Sequence, residues 1–161
     1  MPKRKLIKEI IPTTLHPLFR TKLCYSLSKT GVLLRSLLEE SLRQHKLTPP
    51  QGGILHILNG YGEYNQHLLG QEMSIDKASM VKFIDGLEKL GLVKRTTAPN
   101  DRRSKLITIT SKGKIIQKKI SDLHSVLENE IMKDFTSKEV EVLKELMPKV
   151  LESVLKKIHQ R

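Results

Sequence analysis

The chain has no tryptophan, three phenylalanines, three tyrosines and a single cysteine, Cys24, in 161 residues. A lone cysteine excludes a disulfide framework within one chain, and so few aromatics leave the core to Leu, Ile and Val. No stretch approaches the roughly 18 consecutive apolar residues of a membrane-spanning helix. The opening MPKRKLIKEIIPTTLHPLF is broken by Pro12 and Pro17 and lacks the apolar centre of a signal peptide. The expected location is therefore the cytoplasm, with no membrane partner. The six histidines are scattered, with no His-x-x-x-His pair, and there is no Cys cluster, Gly-x-Ser-x-Gly elbow or dinucleotide fingerprint. Neither an enzyme, a metal centre nor a cofactor is expected.

What is present is positive charge. Lys and Arg total 29 against 17 Asp and Glu, a net of +12 with a pI near 9.9, the footprint expected of a phosphate-rich partner. The length suits one domain, or one domain with a helical extension.

Hydrophobic spacing predicts a mainly α chain. Leu23, Leu27, Leu33, Leu34, Leu37, Leu38 and Leu42 recur at helical intervals, giving one long helix from Leu18 to Gln44. Thr48-Pro49-Pro50-Gln51 supplies a cap, a proline at the first helical position and a Gln three residues after the cap, so a second helix starts there and ends at Gly60-Tyr61-Gly62. Gly52 and Gly53 inside it have no preceding strand and no following Gly-Lys-Ser/Thr, so they signal close helix packing rather than a phosphate loop. Asn65 caps a helix over 66–73, and Asp76 caps another over 77–90 that Gly91 stops. That is helix-turn-helix spacing. On the second of these helices Met80, Phe83, Ile84, Leu87 and Leu90 share one face; Ala78, Ser79, Lys82, Gly86 and Lys89, small or basic, share the other. Such a face lets a backbone approach a groove while lysines neutralise flanking phosphates.

The stretch RTTAPNDRRSKLITIT, Arg95 to Thr110, then reads as an isolated hairpin with a Pro-Asn-Asp turn, a wing following a helix-turn-helix. Between Lys94 and Lys105 stand five cations, Lys94, Arg95, Arg102, Arg103 and Lys105, against one anion, Asp101. Arginine at the tip suits a narrow minor groove; Asp101 is expected to brace the tip by accepting backbone N–H bonds and pairing with a neighbouring guanidinium. Beyond Thr110 come a long helix and, from the capping box Thr136-Ser137-Lys138-Glu139, a final helix whose Val140, Leu143, Met147, Val150 and Val154 form a seam that needs a partner. Pro148 is expected to bend or interrupt it.

Three segments in correct order carry a resemblance: LTPPQGGILHIL, SIDKASMVKFIDGLEKLGLVKR and APNDRRSKLITITSKG. From Leu47 to Gly113 the sequence resembles the MarR family of winged-helix transcription regulators. The resemblance implies a winged helix-turn-helix at 47–113 flanked by dimerisation helices at 1–46 and 114–161. It also implies a homodimer on an inverted-repeat, double-stranded operator at the nucleoid; the expected effect is repression, with activation the open alternative. Carried over, the recognition helix is 77–90 and the wing 94–105. Lys77, Ala78, Ser79, Lys82 and Arg95 are expected at DNA, with Arg102 in the minor groove and Arg103, Ser104 and Lys105 supporting the wing or holding phosphate. Val81 stands where many members have Thr, and Gly86 where many have Arg. His67 is a candidate phosphate contact.

Members are commonly released from DNA by a small ligand or by cysteine oxidation. Leu23-Cys24-Tyr25 resembles the hydroperoxide-sensing branch, making Cys24 a candidate redox sensor, although Ser28 and Leu38 stand where that branch has tyrosines; the other reading is a small buried hydrophobe. His16, Phe19, Tyr25 and His56 are the candidate lining of an effector pocket. The competing function is a basic helical module that binds RNA or protein without DNA sequence specificity.

Overall fold

In the computed structural model, residues 15–98 and 101–160 are described, with the side chains of Ala98 and of 101–104 excepted. They divide into two compact units between Gln117 and Lys118. The first contains α1 (Pro17–Thr21), α2 (Leu23–Leu42), a 3-10 turn (Arg43–His45), α3 (Pro49–Tyr61), β1 (Tyr64–Asn65), α4 (Gln66–Glu72), α5 (Lys77–Lys89), β2 (Val93–Ala98), β3 (Asp101–Ile109) and the start of α6 (Ser111–Met132). The second contains the rest of α6 and α7 (Ser137–His159).

The expected first long helix is two helices. His16 caps α1 by accepting the Leu18 N–H at Nδ1, 3.2 Å away, and Pro17 fixes the first helical φ. Lys22 then turns extended, at φ −122 and ψ 98, and its carbonyl starts α2 by accepting from Tyr25 and Ser26. The break frees the Phe19 carbonyl, to which the Ser26 hydroxyl donates. At the far end Lys46 adopts the left-handed region (φ 57) and the Leu47 N–H returns to the Leu42 carbonyl, closing the helix by the usual left-handed terminus.

The hairpin is not isolated. Tyr64 and Asn65 pair antiparallel with Ile107 and Leu106, giving a three-stranded sheet in the order β1-β3-β2. Two residues are too few to show strand periodicity, so Asn65 was readable only as a cap, which it also is: its Oδ1 accepts from His67 N at 2.8 Å and Leu68 N at 3.2 Å. Strands β2 and β3 run in register from Val93↔Ile109 to Thr97↔Lys105, and a bulge follows at Thr97/Ala98.

The core of the first unit is Ile54, Leu55 and Leu58 from α3, Leu69 from α4, Met80, Ile84 and Leu87 from α5, Leu92 and Val93, and Ile107 with Ile109 from β3. Alternate residues of β3 face it, as a half-buried strand requires. Gly52 and Gly53 do serve close packing: a Cβ on them would lie 3.3 Å from Leu42 Cδ1 and 3.0 Å from Met73 Cε. In the second unit Thr136 and Glu139 form the expected capping box, with Glu139 Oε2 accepting from Thr136 N at 2.8 Å. Helix α7 runs through Pro148 uninterrupted and has no buried residue. No helix among the described residues is long and apolar enough to cross a membrane.

The base of the hairpin is clamped where α5 ends and α6 begins. Thr110 Oγ1 donates to the Gly91 carbonyl at 2.7 Å and accepts from Gly113 N at 3.0 Å, and Lys112 Nζ donates to the Leu90 carbonyl at 2.8 Å. A Cβ on Gly113 would sit 2.1 Å from the Leu92 carbonyl oxygen, whereas one on helical Gly60 meets nothing within 4 Å. Gly113→Ala is therefore expected to lower stability by about 1–3 kcal/mol, and Gly60→Ala to raise it by up to about 1 kcal/mol. Urea midpoints of the two variants should move in opposite directions, and a shared direction would contradict this packing.

Candidate nucleic-acid interface

Helix α5 is placed by three polar devices and one apolar face. Asp76 caps it, accepting the Ser79 N–H at 2.9 Å. The turn before it is tight because Ser74 takes a left-handed conformation (φ 52) and Ile75 N–H returns to the Gly70 carbonyl at 2.9 Å. Gln51 fixes the flank: its side-chain carbonyl accepts from Thr48 N at 3.0 Å and Thr48 Oγ1 at 3.1 Å, while its amide donates to the Phe83 carbonyl at 3.2 Å. With Met80, Ile84 and Leu87 buried, Lys77, Ala78, Val81, Lys82, Asp85, Glu88 and Lys89 are exposed and Ser79 is half-buried.

Gly86 departs from the expected exposed face. A Cβ there would lie 2.6 Å from Gln51 Nε2, so Gly86 is where the buried Gln51 amide packs against α5. The signal missed was the reach of Gln51: its place as third residue after a cap was legible, its bond to Phe83 across 32 residues was not.

Beside α5 lies an open cavity of about 950 Å³ lined by the start of α4 (Gln66, His67), the turn, Lys77 and, from β3, Lys105. Lys105 is exposed and its ammonium donates to Thr97 Oγ1 at 3.1 Å across the hairpin. Lys77, Ala78, Lys82 and Lys105 are exposed, and His67 opens onto the same cavity as Lys77 and Lys105. The side chains of Asp101, Arg102, Arg103 and Ser104 lie outside the described residues.

Arg95 is placed otherwise. Its guanidinium bonds Asp85 Oδ1 (2.5 Å), Glu88 Oε2 (2.9 Å), Gln66 Oε1 (3.1 Å) and the Val81 carbonyl (3.3 Å), so it is occupied within the fold rather than turned toward a partner. Counting cations along the hairpin could not reveal this, because the partners come from two other helices.

Of the effector-pocket candidates, His16 and Phe19 meet edge to face at 6.4 Å between centroids, Tyr25 is exposed, and His56 instead bonds Gln117 of α6 at 3.2 Å through Nδ1. The cavities lined by residues 65–105, 35–83 and 128–144 contain none of the four. Cys24 is exposed in the first turn of α2, which the small-buried-hydrophobe reading did not anticipate.

The family model described as MarR family matches residues 47–105. The chain is similar to the crystal structure of wild-type MarR from E. coli, with 28% identity over 86% of this chain and 99% of that one, at a TM-score of 0.68. It shares the fold of the transcriptional regulator BldR from Sulfolobus solfataricus, with 22% identity, 87% and 99% coverage and a TM-score of 0.75. It shares it also with a MarR transcriptional regulator from Methanosarcina mazei, with 21% identity, 83% and 96% coverage and a TM-score of 0.77.

The cap of α5 yields a measurable consequence. Asp76 titrates below the ordinary aspartate value, chiefly because the Ser79 side chain and then its backbone N–H bond the carboxylate. A depressed folded value means the cap's contribution is complete above the unfolded value of about 4 and is lost as pH falls through the folded one. Carbon-detected NMR titration should find Asp76 below the ordinary value in the parent and raised toward it in Ser79→Ala. An unmoved Asp76 would reject the hydrogen-bond origin.

Proposed function

We propose that the chain, whose residues 47–105 match the MarR family model, is a homodimeric, sequence-specific double-stranded DNA-binding transcription regulator acting as a repressor. The family is one of transcription regulators rather than enzymes. The observation that carries the reading is the exposed face of α5. Lys77, Ala78, Lys82 and Lys89 point outward from a helix whose other face is locked into the core. A face of that kind fits a major groove, where small residues allow close approach and lysines hold phosphates to either side. Ala78 and the exposed Val81 add methyl surface of the kind that meets a thymine C5-methyl group.

The hairpin starts at Val93, four residues beyond the end of α5, so it leads toward the adjacent minor groove, with Arg102 as the residue that enters and Asp101 as its brace. Arg103, Ser104 and Lys105 support the wing or hold backbone phosphate. Lys77, Ala78, Ser79 and Lys82 form the major-groove set.

Dimerisation is supported by α7, on which Leu146, Met147, Leu151, Val154 and Ile158 are all exposed in one copy. An apolar stripe of that length on a terminal helix is the mark of an unfilled interface. Two copies would set their recognition helices in successive major grooves, about 34–36 Å apart, on an inverted repeat. Release could follow from a small effector or from oxidation of the exposed Cys24.

Selection of bound duplexes from a random library tests the function. Enrichment of an inverted repeat with half-sites one helical turn apart supports it; recovery without sequence preference would favour the basic-module alternative. On the selected duplex, Arg102→Ala should weaken binding by on the order of 1–3 kcal/mol with an unchanged thermal midpoint, and intact affinity would sink the wing assignment. Removal of residues from Thr136 onward should leave no dimer in analytical ultracentrifugation. A stable dimer of the shortened chain would reject the terminal-helix interface.

A further inference from the structure

Helix α5 carries two acids on the side proposed to meet DNA. Asp85 is exposed and stands three residues after Lys82 and four before Lys89, so its carboxylate is one helical turn from each. Glu88 is exposed as well and immediately precedes Lys89. Left unmatched, both would oppose the approach of a phosphate backbone.

Arg95 matches both. Nη1 lies 2.5 Å from Asp85 Oδ1 and 2.9 Å from Glu88 Oε2, Nε donates to Gln66 Oε1 at 3.1 Å, and Nη2 donates to the Val81 carbonyl at 3.3 Å. Every guanidinium nitrogen therefore has a partner inside the domain. The side chain is 21% exposed, against 56% for Asp85 and 41% for Glu88, so the cation sits beneath the carboxylates it neutralises. The backbone joins in: β2 is an edge strand, and the Arg95 N–H donates to Glu88 Oε1 at 3.1 Å. Only a rigid, planar, multi-donor head can serve four acceptors from one position; a lysine ammonium cannot.

We propose that Arg95 is a positioning residue that never touches DNA: it neutralises Asp85 and Glu88 and ties α5 to strand β2, so that the incoming duplex meets Lys82 and Lys89 rather than two carboxylates. This rests on the DNA-binding reading above. A cation of the wing is thereby converted from a candidate contact into the group that makes the recognition helix fit for an anionic partner.

The test uses the full chain, a duplex selected with the parent protein, fluorescence anisotropy for affinity and circular dichroism for folding. Arg95→Ala should weaken binding by severalfold to about tenfold, because it leaves two solvent-exposed carboxylates uncompensated beside the incoming phosphates, more so at low salt. Arg95→Lys keeps the charge but loses the fork, and should also bind more weakly than the parent. Adding Asp85→Asn and Glu88→Gln to Arg95→Ala should return affinity to within about threefold of the parent, since no carboxylate is then left to mask. If the triple variant stays as weak as Arg95→Ala, or if Arg95→Ala binds like the parent, the proposal is overturned. Should Arg95→Ala not fold, Arg95→Lys with and without the two neutral substitutions makes the same comparison. A parent protein that selects no duplex would sink the DNA reading itself, an outcome separate from any behaviour of the variants.

Discussion

Everything offered by the exposed face of α5 depends on the apolar face behind it. Met80, Ile84 and Leu87 are buried against a core shared with α3, α4 and the sheet, and a slip of one residue would turn the helix by about 100° and bring Val81 and Asp85 inward. Burying a side chain of this size contributes about 1.5–3 kcal/mol, while an exposed ion pair contributes about 0–1 kcal/mol. The phase of the helix is therefore set by hydrophobic burial. Charges act on an orientation already decided, refining which groups are free.

That ordering explains how a chain of net charge +12 can hold balanced acids at its proposed binding face. The whole-chain excess acts over a distance of order 10 Å at moderate salt, drawing in an anionic partner without selecting a register. Within the domain the count is local. Asp85 and Glu88 on α5 are answered by Arg95 from β2, and Lys112 donates to the Leu90 carbonyl at the C-terminal end of α5, where a cation is favoured by the helix dipole. Lys77, Lys82 and Lys89 remain exposed on the same helix. The composition announces a basic protein; the fold determines which basic groups are available.

Local signals in the sequence were legible because their chemistry is local. Thr48, Asn65, Asp76 and Thr136 were readable as caps since the groups they satisfy lie two or three residues away, and Gly91 as a stop because its positive φ (72) favours glycine. The break at Lys22 was not legible, since neither Thr21 nor Lys22 is a helix breaker and the compensating Ser26 to Phe19 bond spans seven residues. Strand β1 was too short to show alternation. Gly86 fell on the outward side of a helical wheel because a wheel records angle and not neighbours; the Gln51 amide that occupies its space comes from α3. Arg95 failed to declare itself for the same reason, since its acceptors on α4 and α5 lie 29, 14, 10 and 7 residues earlier in the chain.

The same distinction separates the two ends of the hairpin. At its base, Thr110, Lys112 and the sterically confined Gly113 fasten the strands to the end of α5, and Arg95 repeats the attachment two residues into β2. Farther out, Thr97 and Lys105 pair across the strands, and the bulge at Thr97/Ala98 is where the regular register ends. A hairpin fastened along its base to α5 has its paired strands held before any partner arrives, which lowers the ordering cost of the binding proposed for it. On the proposed reading helix and hairpin present one surface, and Arg95, which joins them through Asp85, Glu88, Gln66 and the Val81 carbonyl, does so in place of a contact of its own.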